Sequence, residues 1–108
     1  MSIVVHLFYT GEKGAARRFA QEMESSGIAD RIRQEEGNER YEYFLPVSDP
    51  ETVLLIDQWK DQAALDLHHA SDMMKELAAL REEYDLHMKA ERFISEELPD
   101  TDQGFIRK

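Results

Sequence analysis

The spacing of apolar residues changes along this chain, and each spacing predicts one kind of element. Residues 2–9 are rich in β-branched and aromatic side chains and end before two glycines, which predicts a strand. The next apolar residues recur at the i, i+3, i+4, i+7 spacing of a one-faced helix that is capped by Gly27. Ile28 and Ile32 suggest a further helical turn or two. The apolar positions of the first helix are Ala16, Phe19, Ala20 and Met23.

Two strands joined by a turn are predicted in the middle of the chain. Residues 39–47 are dense in aromatic side chains and place Tyr41 and Tyr43 on the same face. Residues 48–50, Ser-Asp-Pro, have the composition of a turn. A strongly apolar strand follows over residues 52–59.

The second helix is predicted to begin at Asp61, a good N-cap residue, and its apolar pattern changes phase. On an unbroken helix, the side chain of His68 points to solvent. If the helix breaks near Ser71, where the serine is able to cap a new segment, its first piece is free to turn Ala64, Leu65 and His68 inward. Periodicity alone leaves both arrangements open.

The order of elements predicts an α+β fold. Residues 86–96 are interpreted as a final strand, which completes the ferredoxin-like βαββαβ plan of a four-stranded antiparallel sheet with helices on one face. We expect one domain over residues 1–97 and a C-terminal tail over residues 98–108.

The sheet is expected to need a partner on its second face. Two helices cover only one face, yet residues 3–5 and 53–56 are apolar at consecutive positions, so both faces of these strands carry apolar side chains. A second copy packed sheet against sheet is the simplest partner. The pattern therefore predicts a homodimer formed through the sheet face.

Composition narrows the function classes. The 13 basic and 23 acidic residues give a formal net charge of -10, which disfavours nucleic-acid and membrane partners. The absence of cysteine excludes disulfides, thiolate nucleophiles and cysteine-based metal sites. The N-terminal residues lack a basic segment, and no apolar run approaches the length of a membrane span, so we expect a cytoplasmic protein.

Short motifs in this chain resemble the antibiotic biosynthesis monooxygenase family, whose members are dimeric α+β barrels that include cofactor-free quinol monooxygenases. The resemblance extends over about residues 2–95 in element order. The motifs are Glu-Glu-Gly-Asn at 35–38, Tyr41, Ile-Asp-Gln-Trp-Lys-Asp at 56–61, Ala64-Leu65 and His68. The resemblance implies a homodimer that uses O2 and no cofactor.

The family pattern places a Glu, which Asp57 conservatively replaces here, two positions before an aromatic residue and a His nine positions after that residue, often with a second His five positions on. Trp59 and His68 match, and Asp57 stands in the acidic position. The second His position holds Met73, which puts in doubt a mechanism with two imidazoles. The family bends its helix near the position of Ser71, and this favours an inward His68.

Haem-degrading relatives use an Asn, a Trp and a His in this fold. The corresponding positions here hold Leu7, His68 and Ala78, so the resemblance does not imply haem degradation.

Cofactor-free oxygenation begins when a base removes a proton from an electron-rich phenol or quinol. His68 is the candidate catalytic base because its ordinary pKa lies near neutrality. Trp59, Tyr41 and Tyr43 are candidates for an aromatic substrate-binding wall, and Asn38 for orienting a substrate oxygen.

Each of these residues also has a structural interpretation: Trp59 as a core residue, the tyrosines as cross-strand packing and Asn38 as a turn residue. His6 and His87 are interpreted as structural. Adjacent side chains on a helix point about 100° apart, so His68 and His69 with Asp72 predict no metal site.

Two other functions remain open. The segment 35–40 also resembles an isomerase branch of the family that processes phosphorylated autoinducer-2, which requires a cation in the pocket for the phosphate. Arg40, Lys60 and Arg92 are the candidates for that cation. A non-catalytic ligand-binding dimer on the same scaffold is the third possibility, and a closed or absent cavity would favour it.

Overall fold

The chain forms four strands and five helices. A computed structural model describes all 108 residues. The order confirms the predicted βαββαβ plan, with each of the two predicted helices divided in two. The elements are β1 Ile3–Thr10, α1 Ala15–Ser25, α2 Ile28–Arg33, β2 Asn38–Phe44, β3 Thr52–Trp59, α3 Gln62–His69, α4 Met73–Glu83, β4 His87–Ile94 and α5 Asp100–Gln103.

The four strands form one antiparallel sheet in the order β2-β3-β1-β4. Leu7 at the centre of β1 pairs with Leu55 of β3 on one side and with Ala90 of β4 on the other. The predicted ferredoxin-like fold is confirmed, with its two central strands contributed by β1 and β3.

Alternation along β3 separates the two faces of the sheet. Val53, Leu55, Asp57 and Trp59 are buried beneath the helices. Leu54, Ile56 and Gln58 lie on the opposite, outer face and are only partly buried. The Asp at an inward position interrupts an otherwise apolar row, which makes it the exceptional residue of this strand.

The second predicted helix is broken near Ser71, as one of the two interpretations of its sequence required. Helix α3 ends at His69 and α4 begins at Met73. The Asp61 side chain accepts a hydrogen bond from the Ala64 N–H at 2.9 Å, which confirms the predicted cap. The predicted role of Ser71 as the cap of the new segment was wrong, because its hydroxyl donates to the His68 carbonyl and closes α3 instead.

The helices leave the inner face of β4 largely open. All eight residues of this edge strand are exposed, in contrast to the buried inward row of β3. A gap therefore remains between β4 and the pair α3–α4. No helix is long and apolar enough to cross a membrane.

The elements differ from their predicted bounds mainly at the ends of the strands. The predicted strand over 39–47 stops at Phe44, and the last strand covers His87–Ile94 rather than 86–96. Residues 98–108, predicted as a tail, contain the single-turn helix α5.

Candidate functional site

Trp59, His68 and Glu35 form one buried cluster at the end of β3. The His68 ring stacks on the Trp59 indole with 4.7 Å between ring centres and an interplanar angle of 27°. The His68 Nδ1 lies 3.1 Å from both carboxylate oxygens of Glu35. Trp59 is 0% exposed and His68 is 3% exposed. The inward orientation of His68 is thus what the structure shows.

A tight turn before β2 places Glu35 against this histidine. Gly37 adopts a φ of 84°, and its carbonyl accepts a hydrogen bond from the Lys60 N–H at 2.9 Å. A Cβ at Gly37 would lie 2.5 Å from the Ala64 side chain, so only glycine lets the turn pass this close to α3. The close approach brings the Glu35 carboxylate to His68.

Burial lowers the pKa of His68, and the hydrogen bond and charge of Glu35 oppose this shift only in part. The ring is therefore neutral at neutral pH. With Nδ1–H donating to the carboxylate, the lone pair of Nε2 is left as the proton-accepting site.

A cavity of about 350 Å³ lies next to this cluster, between β4 and the α3–α4 pair. Its wall combines apolar side chains with a few ionisable ones, the mixture typical of small-molecule sites. The lining residues are Val5, Leu7, Asp57, Leu65, His69, Met74, Arg81, Met88, Ala90, Glu91 and Arg92.

Asp57 is the buried ionisable group of this cavity wall. Its side chain is 5% exposed, and its Oδ1 atom has no hydrogen-bond partner. Burial raises the pKa of Asp57 to about 7, while the nearby Trp59 N–H and Arg81 lower it and Glu35 raises it further. A carboxyl with this pKa exchanges protons readily near neutral pH.

Arg81 reaches the cavity from α4, on the same side as the buried Leu77 one turn earlier. One guanidinium nitrogen donates to the Tyr9 hydroxyl at 2.8 Å, and the guanidinium carbon lies 5.5 Å from the centre of the Tyr9 ring. The Arg81 Nε atom is buried and has no partner. This side chain is held in place while one of its donors stays unused.

The structure does not bring Tyr41, Tyr43 and Asn38 to the wall of this cavity. Tyr41 is buried, and its hydroxyl lies 3.1 Å from that of Tyr43. Tyr43 lines a separate groove beside α1. The Asn38 amide donates weakly to the carbonyls of Arg40 and Gln58, at a bulge where β2 begins.

Trp59 and His68 lie together as predicted, although neither is among the residues that line the cavity. The other histidines lie elsewhere: His6 packs against Phe93 on the outer face at 4.8 Å, and His87 lines a groove at the sheet edge.

Sequence reasoning did not select Glu35, Arg81 or Asp57 as site residues. Alternation within β3 already puts Asp57 on the inward row, so a carboxyl at that position was the available signal. Arg81 follows the buried Leu77 at the i+4 spacing of one helix face. Glu35 belongs to the Glu-Glu-Gly-Asn motif at 35–38, but no periodicity predicts its contact with His68, because that contact depends on how a turn meets a distant helix.

The chain is similar in sequence to a known protein family and to one of the curated proteins. Residues 2–80 match the family model described as antibiotic biosynthesis monooxygenase. A Bacillus subtilis (strain 168) protein named "Putative monooxygenase YcnE" is 35% identical over 46 residues, which are 43% of this chain and 48% of that protein. The match thus spans about half the length of this curated relative.

Solved structures share the fold at low sequence identity. A "putative antibiotic biosynthesis monooxygenase" from Deinococcus radiodurans superposes with a TM-score of 0.77 at 19% identity, covering 91% of this chain and 96% of that one. A conserved protein from Methanosarcina mazei Go1 superposes with a TM-score of 0.75 at 25% identity, covering 89% and 94%.

Proposed function

The chain belongs to the antibiotic biosynthesis monooxygenase family, and from that premise we propose that it is a cofactor-independent monooxygenase that oxidises a small quinol-like or polyphenolic aromatic with O2. One observation carries the proposal: the buried Asp57 carboxyl, with a pKa of about 7, lies on the wall of a cavity of about 350 Å³ that apolar and ionisable side chains line together. A poised base in an apolar cavity is what this reaction requires.

In the proposed reaction, Asp57 accepts the proton of a substrate hydroxyl. The resulting phenolate is electron-rich enough to pass an electron to O2, and the two radicals combine into a peroxide anion. This anion takes the proton back from Asp57 and becomes a ring hydroperoxide. Loss of water then leaves a carbonyl on the ring. One oxygen atom enters the product and the other leaves as water, so a hydroquinone plus O2 gives a hydroxyquinone plus water.

The apolar part of the wall has a role of its own. Leu7, Leu65 and Met74 form an apolar surface beside the space where O2 and the ring would meet. The substrate supplies all the electrons, and for this reason the proposal includes no cofactor.

His68 is a second proposed base for the same step. It is neutral at neutral pH, and its Nδ1 is held by Glu35, which leaves Nε2 as the acceptor. His68 is not among the residues that line the cavity, so direct contact with a substrate there is not expected in this conformation. In the arrangement that we favour, His68 supports Trp59 and thereby the wall behind Asp57. The predicted substrate contacts Trp59, Asn38, Tyr41 and Tyr43 do not line this cavity.

Oxygen uptake tests the reaction and identifies its base. Purified protein is mixed with a series of hydroquinones at near-neutral pH, and uptake is recorded above the autoxidation of a protein-free sample. We expect Asp57→Asn to lose about 100-fold in rate, the range of one general base. His68→Gln should retain most of the activity, and Asp102→Asn, an exposed residue of α5, should retain all of it.

Two other outcomes would contradict the assigned base or the proposed reaction. Loss of uptake with His68→Gln but not with Asp57→Asn would make His68 the base. The absence of uptake above autoxidation with every hydroquinone would contradict the monooxygenase reaction itself.

The isomerase of a small phosphorylated dione remains the second candidate because Arg92, one of its three expected phosphate anchors, lines the cavity. Arg40 pairs with Glu42, and Lys60 pairs with Glu36. Conversion of such a dione without O2 consumption would favour the isomerase. A closed or absent cavity would have favoured the non-catalytic binding dimer, and the chain has a cavity of about 350 Å³ instead.

A further inference from the structure

Some arginines of this chain pair with carboxylates, and the two arginines of the cavity do not. Arg31 pairs with Glu76, and Arg33 pairs with Glu24 and Asp30. Arg81 and Arg92 form no ion pair with any carboxylate of the chain. Arg17 and Arg18 on α1 also lack a carboxylate partner, but Arg81 differs from these two exposed residues in having a buried guanidinium donor.

Arg81 has a buried donor and a positive charge that no group of the chain satisfies. Its Nε donor is buried without a partner, and a buried donor of a charged group that stays unpaired costs free energy. The contact with the Tyr9 hydroxyl and ring fixes the orientation of the guanidinium but supplies no negative charge. An anionic group in the cavity would supply that negative charge through the part of the guanidinium that reaches the cavity wall.

The carboxyls near the arginines do not supply that anion. Asp57 shares no hydrogen bond or ion pair with Arg81, although the charge of Arg81 lowers the pKa of Asp57. Glu91 alternates with Arg92 along β4 and lies opposite His6 on the neighbouring strand β1. Its side chain therefore belongs to the outer face of the sheet, on which His6 packs against Phe93. His69, the remaining ionisable lining residue, adds no negative charge.

We propose that the cavity takes a single-ring phenol that carries a carboxylate, with the carboxylate held by Arg81 and Arg92 and the phenolic hydroxyl directed to Asp57. A cavity of about 350 Å³ is near the lower end of small-molecule sites and suits one ring with its substituents. A planar guanidinium matches the two oxygens of a carboxylate. This inference rests on the proposed monooxygenase function.

Binding of ligands that cannot be oxidised tests the inference without turnover. Isothermal titration calorimetry compares 4-methoxybenzoate with the neutral 4-methoxybenzamide of the same shape, at about pH 6, where benzoates are ionised. We expect the wild-type protein to bind the benzoate at least about tenfold more tightly, the effect of one charge-assisted hydrogen bond.

Three variants locate the effect. Arg81→Gln should reduce the preference for the benzoate to below about threefold. Arg92→Gln, at an exposed position of an edge strand, should reduce it in a protein whose folding does not depend on the Tyr9 contact. Arg17→Gln removes an exposed, unpaired arginine of α1 and should leave the preference unchanged.

The outcomes separate this inference from the function on which it rests. Equal affinity for benzoate and benzamide, or a preference that survives in both cavity variants, would overturn it. Tighter binding of phenyl phosphate than of the benzoate would overturn the carboxylate in favour of a phosphate group. If neutral hydroquinones still drive oxygen uptake that depends on Asp57, the monooxygenase proposal stands even where the anion site fails.

Discussion

The raised pKa of Asp57 makes the stability of the folded chain depend on pH. In the unfolded chain the carboxyl titrates near 3.8, and in the folded chain it titrates at about 7. Between these values the folded chain keeps a proton that the unfolded chain has released. Stability therefore falls as pH rises through this window, by about 1.4 kcal/mol per pH unit, and the contribution is constant above it.

We predict that Asp57→Asn removes this loss. The free energy of unfolding of the variant minus that of the wild type should grow by about 2–3 kcal/mol from about pH 5 to pH 8, because an amide cannot ionise. Urea denaturation at a fixed protein concentration measures the difference at each pH. Asp102→Asn, at an exposed position, should show a difference that does not change with pH. A constant difference for Asp57→Asn as well would contradict the buried, titrating carboxyl.

At the residue scale, local patterns predicted where side chains lie better than what they do. The phase break in the helix anticipated the burial of His68 with Ala64 and Leu65. Alternation in β3 was sufficient to place Asp57 inward, but its effect depends on the absence of a partner, which only the packed structure shows. Contacts such as that of Glu35 with His68 join segments 33 residues apart, and no local pattern encodes them.

Two helix starts in this chain differ in one hydrogen bond. Asp61 and Asp72 both occupy N-cap positions, at α3 and α4. The Asp61 backbone is extended, and its side chain accepts from the Ala64 N–H. The Asp72 backbone is helical, and its side chain makes no capping bond. The same residue type thus contributes differently at the two positions.

We predict that Asp61→Ala destabilises the fold by about 1 kcal/mol, the usual cost of a lost N-cap. Asp72→Ala is the matched control and should cost less than half as much, since only its interaction with the helix dipole is lost. Thermal and urea unfolding measure both. Equal losses for the two variants would contradict the assigned role of the Asp61 side chain.

At the element scale, the sequence predicted the kinds of element and missed several of their ends. The strand Thr52–Trp59 and the cap at Asp61 match the prediction because a strong apolar run and a capping residue mark them locally. The ends of β2 and β4 depend on where cross-strand pairing stops. The paired partner, rather than the strand itself, sets that point.

At the scale of the whole molecule, the two faces of the sheet have different environments. The inner face is covered by helices α1–α4, and the site lies where that cover ends at β4. The outer face presents Val4, Phe8, Leu54 and Ile56 with no helix over them. The division into a domain of residues 1–97 and a tail of 98–108 stays a prediction.

The outer face supports our proposal of a homodimer packed sheet against sheet. Contiguous apolar side chains on a sheet face that no helix covers are typical of an interface. We predict that Ile56→Lys, which introduces a charge at the centre of this face opposite Glu42, weakens self-association at least about tenfold without unfolding the protein.

Sedimentation velocity over a range of protein concentrations measures the strength of self-association. Leu67→Lys is the matched control, because Leu67 is 67% exposed on α3, on the helical side, and should leave association unchanged. A monomeric wild type, or an unaltered dimer in Ile56→Lys, would exclude this face as the interface.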